Sequence, residues 1–334
     1  MTSAIIAGII VAALGVCGAV AAARRNAADG KSAFRGRPPE ALGVPSDHPA
    51  RTVAERLEAS LGGDFESRVK ERVVRSRPGL KDGEWDWIWF ELKRFFLMSG
   101  IARSVPMYSG RIDEAWHEML MFTREYEQFC QNFCGAMIHH APHTAGTEPD
   151  RSERAWFDWI YGELFPPSPA SARLWGPFFR TALRPELIGR LEAADRTEWL
   201  AERFRGDTAA RHEDIAAVID YLIGRFKEQA AAARRNAERR SEPASGDAWT
   251  VGAMSGFLVY ASLVDYDGFQ ERMNERLHDR RSDGTGGCGS WSGPVVGEGG
   301  KAHGGDKGAG GNGDHGGGDG GSSCGSSCGS GCSS

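Results

Sequence analysis

Apolar side chains recur every three or four residues through most of this chain, the spacing that lines one face of an α-helix. The longest such series runs Ile112, Trp116, Met119, Thr123, Tyr126, Cys130, Phe133 and Met137. It predicts one helix of over seven turns, with Leu120, Phe122 and Phe129 widening the stripe and Pro142 marking its end. Trp85, Ile88, Trp89, Leu92, Phe95 and Phe96 predict a strongly apolar helix ending near Gly100. Before it, Thr52 is placed to cap a short helix through Leu61, and Asp64 to cap the next, which carries Phe65, Val69, Val73 and Val74. Further helices are expected over 154–164, 185–204 and 211–240. No stretch alternates with period two for long enough to propose a sheet, so the expected fold class is all-α.

The pattern fails at both ends. Residues 4–23 hold only Ala, Ile, Val, Leu and Gly besides Cys17, and twenty such residues match the ~30 Å hydrocarbon core of a bilayer. Arg24 and Arg25 follow at once, so the expectation is a single-pass anchor (residues 1–23) in the cell membrane, with the soluble body in the cytoplasm. A cleaved signal peptide is the rival; Ala19-Val20-Ala21 resembles a cleavage site, but Met1-Thr2-Ser3 supplies no basic leader. Residues 24–50 read as a linker, 51–281 as the helical domain with a candidate subdomain break at 165–170, and 282–334 as a disordered low-complexity tail. The uncharged stretch 248–264 reads as a buried helix of the body, with a second membrane span as the alternative.

Composition changes this picture little. The 334 residues carry a net charge of −5, which argues against a nucleic-acid partner. Arg234, Arg235, Arg239 and Arg240 are offset by Glu228, Glu238 and Glu242 and read as a solvated helix end. Seven cysteines without framework spacing do not describe a secreted disulfide scaffold. Cys324, Cys328 and Cys332 fall at intervals of four in the tail, where soft-metal binding stands against incidental low complexity. Cys130 and Cys134 lie on or beside the apolar stripe and read as packed thiols. There is no phosphate-binding glycine loop and no Gly-x-Ser-x-Gly elbow.

One polar cluster carries candidate chemistry. Asp113 and His117 are four apart and share a helix face, which Arg124 continues. A carboxylate at that spacing can orient an imidazole for metal binding or base chemistry. His139, His140 and His143 lie beyond the far end of the stripe, near Cys134. His117 and His139 are 22 residues apart, ~33 Å along one straight helix, so the reading is two separate groups at most. As metal ligands the candidates are Asp113, His117, His139 and His140; as structural residues they are a helix-stabilising pair and a complement to the helix dipole.

The run from Arg111 through Asp113, Trp116, His117, Phe122-Thr123-Arg124 and Tyr126 to His139-His140 resembles a motif of uncharacterised bacterial membrane proteins: Asp-x-x-Trp-His, then Phe-Thr-Arg-x-Tyr, then His-His. It is more distantly similar to the Asp-x-x-Trp-His segment of glycine-rich domain-containing proteins, in which a second histidine tends to follow where this chain has Met119. The resemblance covers residues 87–140 and implies kinship without a reaction. The functional expectation is a membrane-anchored helical protein whose body binds another protein without catalysis. The alternative is a metal-binding or metalloenzyme domain using Asp113/His117 or the His139/His140/His143 group.

Overall fold

Thirteen α-helices and one 3-10 turn make up the described part of the chain, residues 33–140, 151–243 and 251–282, in this computed structural model. No strand occurs among them, and the two-residue bridge Ala102–Phe204 is isolated. The chain divides into two units, Met1–Pro294 and Val295–Ser334, and every described residue lies in the first. The expected anchor, the tail and His143 lie outside the described residues. No helix among those described is long and apolar enough to cross a membrane.

The helices are α1 (Ala50–Ser60), α2 (Phe65–Ser76), α3 (Asp82–Ile101), α4 (Gly110–Leu120), α5 (Thr123–Cys134), α6 (Arg151–Leu164), α7 (Pro169–Trp175), α8 (Pro185–Ala193), α9 (Arg196–Glu202), α10 (Gly206–Ala209), α11 (Glu213–Arg239), α12 (Ala253–Val264) and α13 (Phe269–Ser282). Fifteen of the twenty residues of α3 are buried, which makes it the axis of the fold. It packs against α1, α4, α7, α10, α11 and the turn Glu40–Gly43. The stretch left open as a second span contains α12, twelve residues packed on α6 and α11 and buried as a core helix.

Two charged residues sit inside the apolar axis. Glu91 and Arg94 are 0% and 1% exposed, and Arg94 Nη1 donates to Glu91 Oε1 at 3.3 Å. The Glu91 carboxylate also accepts from Ser171 Oγ (2.7 Å), Trp175 Nε1 (2.8 Å) and the Tyr161 hydroxyl (2.9 Å). Arg94 donates to the carbonyls of Leu42 (2.9 Å) and Pro166 (3.3 Å) and lies over the rings of Phe90 and Phe165. A buried ion pair is tolerable only when its remaining lone pairs and protons are matched, and here four segments supply the partners. Ala41 and Leu42 hold left-handed backbone to present that carbonyl. Gly43 follows at φ +71°, where any Cβ would come within 2.9 Å of Arg94 Nη2.

Several boundaries differ from expectation. The linker ends earlier than residue 50, because Ala41, Leu42 and Val44 are buried in the core. Thr52 lies inside α1; the Ala50 amide is instead capped by His48 Nδ1 at 3.1 Å. Asp64 stands at the N-cap of α2, but its carboxylate faces Arg68 at 3.4 Å rather than an amide. The expected 185–204 helix is two, because Asp195 and Glu198 form a capping box between them.

The largest correction concerns the seven-turn helix, which breaks into α4 and α5 at Phe122. No Gly or Pro causes it. The Phe122 ring packs on Phe65 and under the guanidinium groups of Arg68 and Arg72, so α2 draws the chain aside. The apolar stripe survives the break except at Thr123, which is exposed beside it. Its end lies at Gly135, a left-handed C-cap at φ +66°, well before Pro142.

Breaking the central ion pair from one side strands a buried carboxylate. Arg94→Met is expected to lower unfolding stability by about 3–5 kcal/mol in urea titrations, and Glu91→Gln/Arg94→Met to recover part of it. Burial lowers the His48 pKa from its ordinary 6.5, and protonating Nδ1 would break the bond from Ala50. A depressed histidine pKa gives stability that is full above 6.5 and lost as pH falls through the folded-state value. His48→Asn, which retains an acceptor, is expected to flatten the acid limb of stability measured between pH 7 and 5.

Candidate functional site

The three faces of α4 have different neighbours. Ser109 caps the helix, its Oγ accepting from the Ile112 amide at 3.4 Å. Ile112, Ala115, Trp116 and Met119 face the core. Glu114 and Glu118 turn toward α2, where Arg77 and Arg72 hold them. Asp113 and His117 occupy the remaining face, one turn apart, with His117 Nδ1 at 3.8 Å from Asp113 Oδ2. The neighbouring acidic groups are therefore engaged elsewhere, and Asp113 is the carboxylate turned to the histidines.

The third member arrives from the other side of the break. After α5 the left-handed turn at Gly135 reverses the chain, and a segment without regular secondary structure runs back along α4. The left-handed backbone at Gly135 favours glycine there, and a side chain would also crowd Arg211 Cδ at 2.9 Å. His140 then reaches Asp113, Nε2 to Oδ1 at 2.8 Å, and its ring centroid stands 4.5 Å from that of His117. One ligand atom from each of Asp113, His117 and His140 lies within 4.8 Å of the others. Members of the two expected groups thus come together, Asp113 and His117 from one and His140 from the other, because the helix is not continuous. Arg124, expected on the same face, falls beyond the break.

His139 does not join them. Burial alternates along the returning segment: Ile138 is inside, His139 is exposed and His140 is mostly covered. Side-chain exposure falls from 55% at His117 to 28% at Asp113 and 13% at His140, so the cluster is a shallow surface site open on the His117 side.

Beneath it lies a buried relay. Trp116 Nε1 donates to the Tyr126 hydroxyl at 3.1 Å, and that hydroxyl donates to the Ile138 carbonyl at 2.6 Å. The edge of Trp116 also meets the His140 ring, centroids 4.5 Å apart. Burial pushes the Tyr126 phenol upward, so it remains a donor. The Cys130 thiol beside it is pushed up by burial to about 11, and Cys134 is raised for the same reason. Both are free, buried and held as thiols, as their place on the apolar stripe implied.

The model of an uncharacterised family, described as UCP032817-like, matches residues 55–157, which include α2 to α5 and all three members of the cluster. No curated protein and no solved structure matches the chain.

Cys130 and Cys134 are expected to resist iodoacetamide in the native full-length protein and to react once it is unfolded, as read by peptide mass mapping. Labelling of either at the rate of an exposed thiol would contradict their burial.

Proposed function

We propose that Asp113, His117 and His140 bind a divalent first-row transition-metal ion, and that the helical body is a metal-binding domain tethered to a membrane by residues 4–23. The observation that carries this is the convergence of three ligand atoms within 4.8 Å of one another. Two imidazoles and one carboxylate form a mixed nitrogen and oxygen set, suited to zinc, iron, nickel or copper rather than to calcium or magnesium. Atoms bonded to one ion at about 2.0–2.2 Å stand roughly 3–3.5 Å apart. The His140 and His117 nitrogens stand 2.8 and 3.8 Å from the two oxygens of the Asp113 carboxylate, and with all three ligand atoms within 4.8 Å of one another, side-chain rotation would close them on an ion.

Three protein ligands on one side, with His117 more than half exposed, leave the other coordination positions toward solvent. That arrangement suits an ion that exchanges ligands more than a closed structural site. The protein-interaction reading has no comparable cluster behind it: the large apolar side chains exposed among the described residues are Met121, Val264 and Tyr266. The tether rests on the length of the apolar segment and on Arg24 and Arg25 directly after it.

Cobalt(II) tests the site, using the full-length chain in detergent with Cys288, Cys324, Cys328 and Cys332 changed to Ser so that the tail offers no thiolates. The expected result is about one Co²⁺ per chain, with d–d absorption and no thiolate charge-transfer band. Affinity should fall at least about tenfold in Asp113→Ala, His117→Ala or His140→Ala and stay unchanged in His139→Ala. A chain that takes up no cobalt, or one that loses it with His139 but not with His140, would overturn the proposal.

A further inference from the structure

A metal site built half on a helix and half on an irregular segment needs something to set the irregular half. Asp113 and His117 are placed by α4 itself, whereas His140 belongs to residues 136–140, which lie outside any helix or strand. Side chains of α5 bind that segment from below, Cys130 among them, against the Ile138 backbone. The Cys134 thiol faces the Ala136 carbonyl at 3.1 Å, and the Tyr126 hydroxyl donates to the Ile138 carbonyl at 2.6 Å. The second is the shorter contact and the one nearer His140. It is also buried, with Tyr126 1% and Ile138 4% exposed.

We infer that Tyr126 is the positioning residue of this site: its hydroxyl fixes the Ile138 carbonyl and thereby sets His140 against Asp113 and His117, with Trp116 as its partner. The inference rests on the metal reading above. A phenol is suited to the task because it accepts and donates through one oxygen. Indole nitrogen can only donate and a carbonyl can only accept, and the hydroxyl standing between Trp116 and Ile138 engages both at once. The tyrosine oxygen accepts a hydrogen bond from the first and donates one to the second. Removing it takes a buried partner from two polar groups at once. Trp116 acts twice, since the ring whose N–H steadies Tyr126 also packs against the His140 imidazole.

The ring positions are fixed in turn by α3. Phe96 meets Trp116 edge-on at 5.5 Å and lies 6.2 Å from Tyr126, and Phe95 lies 5.1 Å from Trp116. The relay is therefore anchored in the core. Loss of the hydroxyl should release the returning segment while the rings stay in place.

Tyr126→Phe in the tail-serine full-length chain tests this. Co²⁺ affinity should fall about 10–100-fold, the range for losing a group that orients a ligand. The d–d spectrum should change in shape as His140 leaves its position. Phe133→Leu is the control, a core change on the same helix that touches no member of the relay. It should lower the urea midpoint while leaving the cobalt spectrum and affinity as in the parent chain. Should Tyr126→Phe not fold, Trp116→Phe keeps an aromatic ring but removes the donor, and it should weaken cobalt binding in the same direction. A parent chain that binds cobalt, with Tyr126→Phe or Trp116→Phe binding equally well and with the same spectrum, overturns the positioning role and leaves the metal site standing. A parent chain that binds none overturns both.

Discussion

The Glu91–Arg94 pair is the constraint on which the rest of the fold depends. Charges this deep are stable only when every remaining donor and acceptor has a partner, and the partners come from four separate segments. Satisfying them fixes the rotation of α3 about its own axis. That rotation decides where Phe95 and Phe96, one position and two beyond Arg94, will point. They point at Trp116 and Tyr126, the rings that lie under the surface cluster. A line of physical contact thus runs from a core ion pair to an aromatic layer and then to a histidine at the surface.

Much of the helical content was legible in the residues, because burial on one face imposes a period that survives any detail of packing. The stripe from Ile112 to Phe133 is buried as its spacing implies, apart from Thr123. The break at Phe122 was not legible. It arises from an aromatic ring settling against α2, some fifty residues earlier in the chain, with no local helix breaker to announce it. The consequence for the site was large: a straight helix forbids His117 and His140 from meeting, and a broken one brings them together. The residues of the site could be read; their assembly could not.

Glu91 and Arg94 escaped the sequence reading for a related reason. Among Trp85, Ile88, Trp89, Leu92, Phe95 and Phe96, two charges were passed over in favour of the apolar pattern. The available signal was their spacing of three within a helix that has apolar residues on every side, which leaves no solvent face to receive them. Trp116 and Tyr126 show the opposite case. They were picked out as motif residues without a role, and the relay to Ile138 supplies one. His139, from the same motif, is not among the side chains that converge.

The left-handed turn at residues 41–43 bears on where this domain begins. Counted by helices, the body starts at Ala50, and a chain cut at Arg51 would retain almost all of α1 and every helix after it. It would nonetheless lose the Leu42 carbonyl on which the Arg94 guanidinium rests and the His48 nitrogen that closes the first helix. Those ten or so residues without an α-helix carry contacts that the core cannot replace. For this protein, secondary structure is the wrong ruler for a domain boundary, and the first indispensable residue is one that a purely helical map would trim away.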